Sequence, residues 1–415
     1  MNDACGSRVL VFSEEYTKVT KGMFAVWTNY AREAARSRQV AVLLNHEHWA
    51  FVEASAVLRT DDRIEVKRLA FDMPSTWLRR VLPASSSTFV TRALSYVLGE
   101  ALDLALSPVI LLSLYLRLRR IRPTALFSHS GGWPAGALCR WIIYAARLAQ
   151  VRERVLVIHS HPSRATNRLA SMFGAPVGRL QARAIGSCAT AIVTVSDTVR
   201  TVLESETFHR PVVRIYNGID PCARAGGSVS SRPLTWRSVG LGVGFVGALS
   251  PMKGAHVLLD AFRLVRVRSE LALLGPAVGP QDYIRSLEER AGRCVNRVSF
   301  LGFHDDVDGF LERIDLLVVP SVAYESFGMV ILEAMKHGKP VICSDFGGMK
   351  EVVQHGVTGL VVPAGDVAAL ADALDALLPD ADRRRLMGAA GYRRLKMLFT
   401  SERMAQQYDS LIGGQ

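Results

Sequence analysis

Residues 316–336 read LLVVPSVAYESFGMVILEAMK. Leu316–Val319 is a short apolar run of strand type that stops at Pro320-Ser321. A loop carrying Glu325 follows, and a helical pattern begins near Gly328 and runs to Lys336. Strand, loop and helix in that order predict one βα step of a parallel sheet. Such a junction presents free backbone N–H groups and the positive end of the helix dipole to an anion. Gly328 lets the backbone come close to it. Glu325 lies in the loop and Glu333 about 1.5 turns into the helix, so the two carboxylates reach different parts of one ligand. A carboxylate accepts paired hydrogen bonds from vicinal hydroxyls, as a ribose or sugar offers. Read alone, the pair is also compatible with two solvent-facing glutamates.

The alternation extends both ways. Downstream lie strands Val341–Cys343 and Leu360–Val362 and helices Val367–Leu377 and Arg383–Leu398. Upstream lie strands Val243–Val246, Leu271–Leu274 and Val298–Phe300 and helices His256–Val265 and Tyr283–Ala291. Further back, Arg8–Ser13, Gln39–Leu44, Ala125–Ser128, Val155–His159 and Ala191–Val195 read as strands, with a helix over Phe24–Ser37. Asp220–Arg237 is rich in Gly, Ser and Pro without apolar period, a linker composition. The chain is therefore expected to be α/β, with doubly wound domains at 1–222 and 236–394. Residues 72–120 set Arg79, Arg80, Arg92, Arg117, Arg119 and Arg120 around apolar segments and predict helices with a basic rim.

A chain of 415 residues exceeds one ordinary core. Its six cysteines stand singly, with no CxxC and no Cys/His cluster at zinc spacing, so neither a disulfide framework nor a structural metal is expected. A reducing cytoplasm is the expected compartment. Arg8–Ser13 is too short for a signal-peptide core, and Ala101–Leu116 is broken by Asp103 and Pro108, short of the ~20 apolar residues of a span. The net charge of +12 is uneven: residues 1–232 hold 30 basic and 17 acidic side chains, and the remainder 20 and 21. A basic first half suits an anionic lipid surface, an anionic substrate or simple solvation. No recognised module or interleaved aromatic pattern supports nucleic acid.

Three further motifs stand at strand ends. Gly247-Ala-Leu-Ser-Pro-Met-Lys253-Gly254 puts a lysine in a Gly-flanked turn, placed for a phosphate or simply exposed. The string Gly242-x-Gly244-x-x-Gly247 imitates a dinucleotide fingerprint, but its glycines lie before and on the strand rather than after it. Lys21-Gly22-Met23 occupies a phosphate-facing turn or a plain helix start. His159 and His161 end another strand, as does His129, and are candidates for a sugar site, a metal or the core; no carboxylate or cysteine accompanies them as a metal partner.

Taken in order, the motifs resemble the retaining GT-B glycosyltransferases of family 4. They are Tyr216-Asn-Gly-Ile-Asp220, Phe245-Val-Gly-Ala-Leu, Lys253-Gly254, Leu274-Gly275-Pro276, Val298-Ser-Phe-Leu-Gly302, Val319-Pro320-Ser321, the Glu325/Glu333 pair, Phe346-Gly-Gly-Met-Lys-Glu351-Val and His355-Gly-Val-Thr-Gly359-Leu-Val-Val-Pro363. They cover most of the second half; the first half matches through Gly22 and His159. The resemblance implies two Rossmann-like domains facing across a cleft, with residues 395–415 crossing back to the first. It implies a nucleotide-sugar donor and no metal or other cofactor. Glu333 would hold the ribose and Lys253 with the Gly328 and Met329 amides the diphosphate, and Gly247, Ser326 and Phe327 would also belong to the donor site. Glu325 and His159 would act at the transferred sugar, with His161 as the alternative histidine, and Gly22 would lie beside the diphosphate. The acceptor would be lipid-linked or a saccharide, in envelope, lipopolysaccharide or exopolysaccharide assembly, on the cytoplasmic side and peripheral to an anionic membrane. A nucleotide-sugar epimerase or phosphorylase of the same fold, or a non-catalytic binder, stays open beside it. The chain departs from the family at Ala248, where an arginine is usual, at Ser326 and at Lys21. Arg164 or Arg168 is the expected substitute for the arginine.

Overall fold

The computed structural model describes residues 8–14, 21–45, 48, 51–71, 102, 103, 105–133, 136–160, 179–205, 208, 210–223, 234, 236–323 and 325–413. Successive residues of the LLVV run pack to opposite faces of a sheet. Leu316 and Val318 join Val243, Leu271 and Ile342 in one core, and Leu317 and Val319 join Leu274, Ile331 and Met335 in the other. All four are buried, because helices cover both faces. Full burial of each such side chain stabilises by roughly 1.5–3 kcal/mol.

The first seven strands are β1 (Arg8–Ser13), β2 (Gln39–Leu44), β3 (Ile64–Arg68), β4 (Ala125–Ser130), β5 (Glu153–Ile158), β6 (Ala191–Thr194) and β7 (Val212–Arg214). They form one sheet in the order β3-β2-β1-β4-β5-β6-β7. The next six are β8 (Leu241–Val246), β9 (Ser269–Leu274), β10 (Arg297–Gly302), β11 (Leu316–Val319), β12 (Val341–Ser344) and β13 (Gly359–Val362), in the order β10-β9-β8-β11-β12-β13. Every pairing is parallel. In each sheet the winding reverses once, between β1 and β4 and between β8 and β11. Open α/β sheets bind ligands at the carboxyl ends of strands beside such a reversal.

Contacts divide the chain into two units. One comprises residues up to Thr194, Arg200–Ile215 and Ala405 onward; the other comprises Val195–Val199 and Tyr216–Met404. In the first unit Tyr408, on the helix Ser401–Gly413, packs against Tyr30 and Phe127 with ring centroids 4.9 and 5.4 Å apart.

Several boundaries differ from the sequence reading. The first helix is Lys21–Ala35, not Phe24–Ser37, so Gly22 lies in its first turn rather than ahead of it. The helix expected at Gly328 begins at Met329, with Gly328 as its N-cap. The one expected over His256–Val265 is Ala255–Phe262. The helix Ala137–Leu148 is the helical stretch expected ahead of the strand at Val155, whereas the edge strands β3 and β7 and the helix Phe51–Leu58 have no counterpart in the sequence reading. Edge strands are short and half polar, which leaves little periodic signal. The helix Ser107–Ile121 lies within the stretch expected to be helical; Arg79, Arg80 and Arg92 fall outside the described residues.

Gly254 sits at φ +71°, and a Cβ there would meet the Pro320 carbonyl oxygen at 1.9 Å. Backbone cannot yield as a flexible side chain can. Gly254→Ala is expected to destabilise the protein by about 1–3 kcal/mol, read as a lower guanidinium midpoint at unchanged slope.

Candidate active site at the strand-order reversals

β8 ends at Val246, and the chain turns at Gly247 (φ +154°), whose N–H donates to the Leu274 carbonyl at 2.9 Å. Leu249 N–H donates to Pro276 at 2.9 Å, and the Tyr283 hydroxyl to the Ser250 carbonyl at 3.2 Å. A 3-10 turn, Pro251–Lys253, follows and is closed by Gly254. Its Met252 carbonyl accepts from Val322 N–H at 2.9 Å, which ties this loop to the one after β11. The two loops therefore leave neighbouring strands and are joined through backbone. Their side chains meet: Lys253 Nζ lies 2.5 Å from Glu325 Oε2, and Ser321 Oγ donates to the same oxygen at 3.3 Å. Ser344 Oγ, at the end of β12, in turn donates to the Ser321 carbonyl at 2.5 Å. The lysine side chain is 37% exposed and the glutamate 13%, so the pair is reachable from one side.

Beneath Glu325 lies a floor without side chains. A Cβ at Gly347 (φ +62°) would stand 1.7 Å from the Glu325 carbonyl oxygen, and one at Gly348 would stand 2.1 Å from that of Ser326. Ser326, Phe327 and Gly328 are buried, and Phe327 packs 5.8 Å from Tyr216 and 5.8 Å from Phe399. Gly328 takes φ +85°, and no side chain caps the helix Met329–Lys336 behind it. Glu333 is the fifth residue of that helix and is half-buried. Lys253, Gly247, Glu325, Ser326, Phe327, Gly328, Met329 and Glu333 thus share the edge where β8 and β11 end. Ser321, Ser344, Gly347 and Gly348 belong to the same edge and carry no role in the sequence reading. Ala248, half-buried in the turn after Gly247, contributes only a methyl group.

Gly242 and Gly244 lie within β8, and a Cβ at Gly244 would collide with Ile314 Cδ1 at 2.5 Å. Those glycines admit close packing of a neighbouring element; they form no dinucleotide turn. A surface pocket of about 310 Å³ lined by Arg237, Ser238, Glu312 and Arg313 lies at the amino ends of β8 and β11, the wrong edge for a ligand site of this fold.

In the first unit the corresponding edge carries Ser13 at the end of β1, Glu14 just after it, His48 after β2, Ser130 on β4 and His159 after β5. Glu14 Oε2 accepts Cys139 N–H at 3.1 Å and so caps the helix Ala137–Leu148. His48 Nε2 lies 3.3 Å from Ser13 Oγ. Gly22 is on the helix that follows β1. His159 and His129, separate candidates in the sequence, are hydrogen-bonded to each other, Nε2 to Nδ1, at 2.8 Å. Register explains this: His129 pairs with Val157 across β4 and β5, and His159 is the next residue on that face. Burial holds His129 well below the usual histidine range, aided by His159, and burial also lowers His159. The Lys21 side chain, His161, Arg164 and Arg168 lie outside the described residues. Among the described residues no three His, Cys, Asp or Glu side chains gather as metal ligands.

Two parallel sheets, each reversing its winding and each gathering polar groups at the carboxyl ends of the central strands, define a GT-B protein of the α/β class. The family described as "Glycosyl transferases group 1" matches residues 240–380. A phosphatidyl-myo-inositol mannosyltransferase of Mycobacterium leprae is 33% identical over 271 residues, spanning 63% of this chain and 69% of that one. An N-acetyl-alpha-D-glucosaminyl L-malate synthase of Bacillus anthracis is 40% identical over 160 residues, 39% of this chain and 42% of that one. HepE of Anabaena, solved in complex with UDP, superposes with a TM-score of 0.71 at 21% identity, covering 98% of this chain and all of that one. The chain belongs to the group 1 glycosyl transferases of GT-B fold and is a glycosyltransferase.

His48 gives the first unit a defined acid response. Burial, then the charge of Arg68, lowers its pKa from 6.5 to about 4. The unfolded chain takes up this proton first, so the stabilisation is complete above pH 6.5 and is lost as pH falls through about 4. The melting temperature is expected to drop across that window, and His48→Gln to show a shallower drop.

Proposed function

We propose that this enzyme transfers a sugar from a nucleotide-sugar donor to an acceptor hydroxyl with retention of configuration and without a metal. The observation that carries the reading is the contact of Lys253 with Glu325 at the reversal between β8 and β11. Loss of a nucleoside diphosphate leaves negative charge behind, and stabilising that charge lowers the barrier. Lys253 and the uncapped helix start at Gly328–Met329 supply positive potential for it, while Gly247, Ser326 and Phe327 shape the backbone around it. Glu333 holds the ribose hydroxyls. Glu325 takes hydrogen bonds from the transferred sugar, and His159 contacts the same sugar. Gly22, in the first turn of its helix, leaves room for the diphosphate. Arg164 or Arg168 supplies the cation absent at Ala248.

The test is a thermal-shift screen against UDP-, GDP- and ADP-sugars, followed by substitution. One donor is expected to raise the melting temperature, and Lys253→Ala to abolish that shift. Glu325→Ala is expected to lower turnover roughly 10²-fold; unchanged turnover contradicts its role.

The acceptor in this reading is a lipid-linked sugar or a saccharide of bacterial envelope, lipopolysaccharide or exopolysaccharide assembly, met at the cytoplasmic face of an anionic membrane. Two observations favour the membrane. The basic excess lies entirely in the first half. The helix Ser107–Ile121 buries Ile110, Leu114 and Leu118 while Val109, Leu112 and Leu116 are 67, 57 and 48% exposed, with Arg119 and Arg120 exposed beyond them. An apolar row ending in arginines suits an anionic interface. Among the described residues no helix is long and apolar enough to cross a membrane. Co-sedimentation with phosphatidylcholine vesicles is expected to rise when phosphatidylglycerol is added and to fall in the Leu112→Asp, Leu116→Asp variant. Equal binding to both vesicles removes the membrane argument.

A further inference from the structure

His129 has no part in the proposed chemistry, yet among the described residues it makes the closest polar contact to His159. The rings are nearly coplanar, 21° apart, with centroids at 5.1 Å while the bonded nitrogens stand at 2.8 Å. They meet edge to edge, the geometry of a directed hydrogen bond rather than a stack. His129 is fully buried, and its other nitrogen, Nε2, has no hydrogen-bond partner among the described residues. Among the described residues, the groups against it are the ring of Tyr408 on the helix Ser401–Gly413, with centroids 6.3 Å apart, the thiol of Cys139, which donates to the His129 carbonyl at 3.3 Å, and His159 itself.

Two neutral histidines share one proton across such a contact, and the arrangement can be written in two ways. If His159 Nε2–H donates, His129 must carry its own hydrogen on Nε2, and a buried N–H is left without an acceptor. If His129 Nδ1–H donates, its Nε2 is a bare acceptor instead. Orphaned buried N–H groups are rarer and more costly than under-used acceptors. The second arrangement therefore prevails. It has a consequence on the other ring: with Nε2 accepting, His159 must carry its hydrogen on Nδ1.

We propose that His129 is a positioning residue that fixes His159 as the Nδ1–H tautomer, making it a hydrogen-bond donor toward its ligand. The ligand chemistry that matches is an oxygen with a free lone pair, either a sugar hydroxyl or a phosphate oxygen. The neutrality of both rings follows from their burial, so the donor character of His159 comes from tautomer choice and not from protonation. The inference rests on the reading that His159 touches the donor.

The tautomers are read directly from long-range 1H–15N NMR spectra of histidine-labelled wild-type protein near neutral pH. Both rings are expected neutral with hydrogen on Nδ1; a His159 signal showing Nε2–H overturns the proposal whatever the enzyme's activity. A second arm follows nucleoside diphosphate release from whichever of UDP-glucose, GDP-mannose or ADP-glucose the wild type turns over. His129→Leu frees the tautomer and is expected to lower kcat roughly ten- to a hundredfold. The acid limb of its pH profile should also move to higher pH, because His159 is no longer tied to a buried neutral partner. His129→Asn keeps an amide donor near the position of Nδ1 and is expected to restore most of the rate and the original profile. If His129→Leu matches the wild type in rate and profile while His159→Ala is inactive, the positioning role is wrong. If His159→Ala is itself fully active, the failure lies with the reading of His159 as a ligand contact, and the spectra still decide the tautomer.

Discussion

Lys253 and Glu325 come from loops 72 residues apart in the chain, and their contact requires that β8 and β11 be neighbours. That adjacency exists only because the strand order reverses between them. Much of the nearby backbone follows from bringing the two loops together. The first must end in a tight turn at Gly254, pressed on the Pro320 carbonyl, and the second must lie on Gly347 and Gly348. A partly exposed ion pair contributes little to stability. Its effect is to hold a long, flexible cation at a fixed point on the loop that leads into the helix Met329–Lys336.

The first unit handles polarity differently. At its carboxyl edge the charge of Glu14 is spent on a helix start, and His48, His129 and His159 are held neutral by burial. Positive potential at the second unit's edge comes from a lysine and a helix dipole, whereas the first unit offers neutral donors and acceptors.

Much of the second unit was legible in the sequence because its strands are buried on both faces. Runs such as LLVV and LALL are then continuous and apolar, and the helices between them keep a clear period. Strand edges and helix caps shifted by one to three residues, since caps depend on local hydrogen bonds and not on apolar period. The edge strand β3 (IEVKR) and the three-residue β7 gave too weak a pattern to read. The glycine string over 242–247 imitates a fingerprint only as a string: Gly242 and Gly244 lie on β8 against Ile314, and Gly247 makes the turn after it.

The sequence alone determined the α/β class, the position of the loop–helix junction at Glu325–Met329 and the identity of the charged groups around it, because these depend on local pattern and residue chemistry. Which groups touch was decided by tertiary structure. Strand order is set by how helices cover the two sheet faces, not by any local preference, and it alone brings Lys253 to Glu325. The pairing of His129 with His159 depends on the β4–β5 register, which shifts whole faces by single residues and leaves no trace in composition or spacing.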